Sequence, residues 1–247
     1  MQKRPRRSGR AFERLVSIMA TLRSTHGCPW DRKQTHESLR PFLIEESYEL
    51  IDAIDNRRTK EMPGELGDVL FQCVFHAQIG AERRRFDIVD AINAISDKLI
   101  RRHPHVFTKA GKPLGAKGRK KLGLNSPDAV LTQWEAIKAG EQGKAGKKKR
   151  ILSGIPAAMP ALVRAHEISE RVAAVGFEWH QTSEVVDKID EEVRELREAL
   201  NETPARAEEE LGDLLFAIAG LARKLNLEPE AALRKANEKF TKRFEKV

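Results

Sequence analysis

The octapeptide EELGDLLF at 209–216 nearly repeats GELGDVLF at 64–71. In each copy two carboxylates three residues apart, Glu210 with Asp213 and Glu65 with Asp68, interrupt an apolar run. A second acidic motif precedes each copy, Glu191-Glu192-x-x-Glu195 before the later one and Glu45-Glu46-x-x-Glu49 before the earlier. Residues three or four apart share a helix face, so Glu192 with Glu195 and Glu210 with Asp213 form two carboxylate pairs, each bordered by apolar positions. The connection REALNETPARAEE is short enough to return the second helix antiparallel to the first and bring the pairs face to face. Four carboxylates gathered this way do not all stay ionised without a cation, because like charges ~4 Å apart repel by several kcal/mol at an effective dielectric of about 20.

The ligand types select the cation. Di-iron bundles use Glu-x-x-His, whereas neither quartet here contains a histidine or a cysteine. All-oxygen ligation favours Mg²⁺, with Mn²⁺ tolerated, and Mg²⁺ held by a few carboxylates completes its shell with waters and substrate phosphates. The expected substrate is therefore a phosphate ester or anhydride. Lys188 stands four residues before Glu192 and Arg206 four before Glu210, each one turn from its acidic pair, and Lys239 and Arg243 form a further basic i,i+4 pair on the last helix. These four are the candidate triphosphate contacts, and Glu191 or Glu192 the candidate to orient the attacking water. The bland alternative makes Lys188 and Arg206 ordinary helix salt bridges worth ~0.3–0.5 kcal/mol each, and the acidic cluster beside them favours phosphate. The earlier quartet, Glu46, Glu49, Glu65 and Asp68, is equally complete for a metal, but Phe42 and Glu61 stand at the positions of Lys188 and Arg206. The second half is thus the better equipped triphosphate site.

The elements that must position these residues are helices. FERLVSIMATLR (12–23), PFLIEESYELIDAI (41–54), GELGDVLFQCVFHAQIGAE (64–82), DIVDAINAISDKLIRR (87–102) and PDAVLTQWEAIKAGE (127–141) carry apolar residues at a period near 3.6, and Pro41, Pro63 and Pro127 suit first turns. After a basic stretch the series restarts at 159–176, 183–200, 204–225 and 229–247, so the expected fold is all-α, two tandem repeats of one helical-bundle unit. The repeat extends further, with SDKLIRRH over NEKFTKRF, pairing Lys98 and Arg102 with Lys239 and Arg243, and CPWD roughly over GFEW. The expected organisation is a basic disordered tail at 1–11, an N-terminal helical domain at 12–138, a basic linker at 139–154 and a C-terminal helical domain at 155–247.

The formal net charge of +8 is concentrated in residues 1–10, 109–121 and 138–150, leaving the rest of the chain acidic. No aromatic residue interleaves with those bases for stacking, which argues against a nucleic-acid partner. No apolar run follows the basic start or reaches membrane-spanning length, and the cysteines, Cys28 and Cys73, have no metal spacing and are expected as reduced packing residues of a cytoplasmic protein. The His103-Pro104-His105 stretch is read as a cap and packing element, and Trp30 and Trp179 as core.

The paired EExxE…ExxD signature, with GCPWD near the start, RRHPHVF at 101–107 and KANEKFTKRF at 235–244, resembles the bacterial MazG nucleoside triphosphate pyrophosphohydrolases over about 12–247. The resemblance implies the all-α NTP pyrophosphatase bundle, a homodimer, and Mg²⁺-dependent conversion of an NTP and water to NMP and diphosphate, with a broad or house-cleaning substrate range. It implies Glu192, Glu195, Glu210 and Asp213 as metal ligands and Lys188, Arg206, Lys239 and Arg243 as triphosphate contacts. Relatives add a helix bearing a tryptophan and a lysine four residues later; Trp134 and Lys138 hold that place in the first half, and the given sequence reaches Val247 before it in the second. The competing reading is a non-catalytic nucleotide-sensing or protein-binding regulatory module.

Overall fold

A computed structural model of the chain describes residues 5–115, 126–143 and 150–246. It divides into two compact units, Met1–Lys138 and Ala139–Val247. The described residues form α1 (Pro5–Leu22), α2 (Pro29–Lys33), α3 (Arg40–Asp55), α4 (Met62–Glu82), α5 (Ile88–Arg102), α6 (Pro127–Gly143), α7 (Ala161–Ala173), α8 (Thr182–Ala199), α9 (Pro204–Lys224) and α10 (Pro229–Phe244). No strand occurs among them, and an isolated bridge pairs Phe107 with Pro113. The fold is all-α in two repeats.

Local chemistry sets the helix ends. Thr203 caps α9 by accepting from the Arg206 amide, with Pro204 next to it, and Asp87 and Asp90 form a reciprocal capping box at α5. Asn226 and Arg84, both at positive φ, turn the chain out of α9 and α4.

In the first unit α3 and α4 form an antiparallel hairpin, and α1 and α5 pack on α4. Met19, Leu39, Val74, Phe75 and Ile79 are fully buried at its centre, with Phe12, Leu15 and Phe42 around them. Each such side chain contributes about 1.5–3 kcal/mol relative to exposure, which fixes the rotation of α4 against α3. The second unit repeats the plan: α8 and α9 form the hairpin, and α7 and α10 cover it.

Several expectations change. The first helix begins at Pro5, so residues 5–11, expected as tail, are its opening turns, and α6 carries residues 139–143 of the expected linker. The CPWD stretch forms the short helix α2, which periodicity had no length to reveal. Cys73, expected in the core, is exposed, and Cys28 is half-buried. Trp30 and Trp179, likewise read as core, are about half exposed. Much of the two Gly/Lys-rich segments, 116–125 and 144–149, lies outside the described residues.

Candidate metal centre

The hairpin α8–α9 brings one carboxylate oxygen each from Glu192, Glu195 and Glu210 within 4.8 Å of one another. Two of the three are buried, Glu192 at 5% exposure and Glu210 at 3%. The i,i+3 spacing on α8 turns Glu192 and Glu195 to the same side, and the antiparallel return places Glu210, two turns into α9, opposite them. Asp213 is exposed and outside this convergent trio, yet near enough to act on Glu210. Burial pushes the Glu210 carboxyl above the usual carboxylate value; Arg206 opposes the shift, and Glu195, Glu192 and Asp213 reinforce it.

Lys188 Nζ lies 2.8 Å from Glu191 Oε1 and 2.8 Å from Glu192 Oε1. Its hydrogen bond to Glu191 is the main reason that the ammonium is held charged well above its ordinary range and the Glu191 carboxyl is lowered. Glu192 Oε2, buried in the same carboxylate, has no hydrogen-bond partner. Arg206 pairs with Glu210, with Glu209 at 2.7 Å and with Glu202 at 3.8 Å. Both predicted phosphate contacts are therefore engaged as helix ion pairs. Lys239 and Arg243 are exposed on α10 and make no ion pair among the described residues.

The first unit repeats the cluster with Glu46, Glu49 and Glu65 within 4.8 Å. Burial, then Asp68 and Glu49, raise the Glu46 carboxyl. Asp68, like Asp213, is exposed and outside the trio. Glu61, at the position of Arg206, is bound at 2.8 Å by Arg58, and Arg102, at the position of Arg243, lies over the Trp134 ring. The side chain of Lys138 lies outside the described residues.

Residues 34–107 match the family model described as the MazG nucleotide pyrophosphohydrolase domain, and residues 165–240 match the one described as phosphoribosyl-ATP pyrophosphohydrolase. The chain is 52% identical over 240 residues to the nucleoside triphosphate pyrophosphohydrolase/pyrophosphatase MazG of Thermotoga maritima, covering 97% of this chain and 86% of that protein. The chain belongs to the MazG family. A second MazG-family relative, the nucleoside triphosphate pyrophosphohydrolase of Escherichia coli strain K12, is 46% identical over 241 residues, covering 96% of this chain and 86% of its own length.

Two features of this MazG-family chain escaped the sequence reading. Gln72 on α4 is 3% exposed and its Oε1 has no hydrogen-bond partner. One turn on, the His76 ring stacks on that of His36, Nδ1 to Nδ1 at 2.9 Å, and burial and then His36 lower the His76 pKa. The available signal was spacing: Glu65, Asp68, Gln72 and His76 recur every three or four residues along an otherwise apolar helix. At His103 the structure agrees with a capping role, its backbone N–H donating to Leu99 and Ile100 carbonyls.

Proposed function

We propose that this chain is a Mg²⁺-dependent nucleoside triphosphate pyrophosphohydrolase, converting an NTP and water to NMP and diphosphate over a broad, house-cleaning substrate range, as a cytoplasmic homodimer. The reading rests on one observation above the others: Glu192 Oε2 is buried without a donor inside a trio of converging carboxylates. A buried anionic oxygen with no partner is costly, and a divalent cation at the trio removes that cost for Glu192 and the mutual repulsion for Glu195 and Glu210 together. The donors are all carboxylate oxygens, which fit Mg²⁺ and accept Mn²⁺. Bound there, Mg²⁺ supplies charge neutralisation of the triphosphate and polarisation of the scissile linkage.

The protein's own groups do the remaining work. Glu192, Glu195 and Glu210 would hold the cation, and Lys188 and Arg206, freed from those carboxylates, would bind phosphate oxygens together with Lys239 and Arg243. Release of Lys188 removes the main cause that keeps the Glu191 carboxyl low, so Glu191 becomes a stronger base as the substrate arrives. Glu191 or Glu192 orients a water in line with the α-phosphorus and accepts its proton. The new P–O bond stays on the NMP, and the bond from the α-phosphorus to the bridging oxygen breaks, sending diphosphate out with that electron pair.

Homodimer formation is supported by the apolar surface of the second unit. Leu211, Leu215 and Ile218 make an exposed i,i+4,i+7 stripe on α9, beside the half-exposed Phe216. Calorimetric titration tests the site: Mg²⁺ and a non-hydrolysable NTP analogue bind the unsubstituted chain, and Glu192→Gln loses the analogue together with the second unit's share of the Mg²⁺. Unchanged binding in that variant overturns the assignment.

A further inference from the structure

The two acidic clusters stand in different surroundings, and the difference lies along one face of α4. Glu65, Asp68 and Gln72 share the stripe that faces α3, as the convergence of Glu65 with Glu46 and Glu49 requires. Gln72, two turns beyond Glu65, is buried with its carbonyl oxygen unpartnered. Its counterpart in the second unit is Ala217. Where the second unit has Lys188, one turn before the cluster on the facing helix, the first has Phe42, and the half-exposed Trp30 packs edge-on against it at 5.7 Å between ring centroids. Relative to the second unit, the first has exchanged a phosphate-reading cation for an aromatic wall and added a buried amide.

A buried amide oxygen without a donor destabilises a folded chain unless a ligand satisfies it. The groups that the α3–α4 hairpin and the adjoining α2 carry indicate the ligand: carboxylates for a cation, the Phe42–Trp30 aromatic pair, an amide that pairs with an N–H, and no counterpart of Lys188 or Arg206. We propose that the first unit is a second nucleotide site that takes a nucleoside monophosphate: Glu46, Glu49 and Glu65 would hold a divalent cation that neutralises its phosphate, and Gln72, with Phe42 and Trp30, would read its base. One phosphate needs fewer counter-charges than three, which suits a site whose Arg206 position is an acid already tied to Arg58. The ligand is the product class of the proposed reaction, so the unit senses product. The inference rests on reading the acidic trios as cation sites, but not on the chain being an active hydrolase.

The test is calorimetry on the full chain carrying Glu210→Gln, which disables the second cluster, titrated in Mg²⁺ with AMP, GMP, CMP, UMP and, as the base-free control, ribose 5-phosphate. At least one monophosphate binds with one site per chain and about tenfold or more tighter than ribose 5-phosphate, the order expected for one well-made hydrogen bond plus stacking. Adding Gln72→Leu removes that advantage while the ligand-free thermal midpoint holds or rises, because an unsatisfied buried acceptor has been replaced by an apolar group of similar size. Gln72→Asn, which withdraws the amide by one methylene, gives the same loss of affinity. Equal binding of ribose 5-phosphate, no binding of any monophosphate, or binding indifferent to both Gln72 substitutions overturns the proposal. NTP hydrolysis by the unsubstituted chain is assayed separately, so failure of that activity is distinguishable from failure of this site.

Discussion

Lys188→Ala separates a built metal centre from a solvated helix surface. Among the described residues Lys188 is the one donor to Glu192, and the side chain of Glu192 is 6% exposed while that of Lys188 is 35% exposed. Removing the ammonium leaves a buried carboxylate with neither oxygen partnered, which typically costs about 1–3 kcal/mol. The partial exposure of Lys188 lowers this to about 1–2 kcal/mol, and the lost contact to the more exposed Glu191 adds little. A mere surface i,i+4 pair would be worth ~0.3–0.5 kcal/mol. For a unit of this size the larger figure is a fall in midpoint of roughly 5–10 °C. Differential scanning calorimetry in chelator should show that fall, and excess Mg²⁺ should close most of it, because a cation at the trio takes up the charge that Lys188 had balanced. A fall of about 2 °C or less, the size of a solvated pair, refutes the reasoning. So does a fall that Mg²⁺ does not narrow.

Other outcomes follow from the same geometry. Glu210→Gln should abolish most NTP turnover while Glu65→Gln leaves most of it, since only the second unit adds Lys188 and Arg206 to its cluster; equal losses in a steady-state assay would contradict this. Mg²⁺ affinity should weaken as pH falls from neutrality, beginning above the ordinary carboxylate value of 4.5, because the raised Glu210 carboxyl takes up a proton that the cation must displace. Calorimetry across that range checks the direction. The His76 pKa is lowered below its ordinary 6.5, so the folded first unit binds fewer protons there than the unfolded chain and loses stability as pH drops below about 6.5; His76→Gln should flatten that slope in pH-dependent melts.

The helical hairpins and both acidic clusters were legible because a 3.6-residue period and an i,i+3 spacing determine which side chains share a face before any tertiary contact exists. The exact rotation of each helix was not. On α4 the sequence suggested a buried Cys73, but packing of Val74, Phe75 and Ile79 on Met19 and Leu39 turns Cys73 outward and draws its neighbour Gln72 in. One residue is about 100° of helix, so a small error in the assumed apolar face exchanges a core residue for a surface one. The fourth carboxylate of each quartet shows the same limit: Asp213 and Asp68 share a face with Glu210 and Glu65, yet each stays outside the convergent trio. The occupied state of Lys188 and Arg206 was open on sequence alone, since one spacing serves both a salt bridge and a phosphate contact. The structure shows both engaged as helix ion pairs, beside a Glu192 that is buried with one oxygen unpartnered, and that burial is a property of the packed hairpin.

Hydrolysis in ¹⁸O-labelled water with Mg²⁺ tests the central claim most directly, because it reports which phosphorus the water attacks. The account predicts NMP carrying the label and unlabelled diphosphate, with no turnover in chelator and almost none in Glu192→Gln. Label in the diphosphate, orthophosphate released with NDP, or full activity in chelator would contradict it.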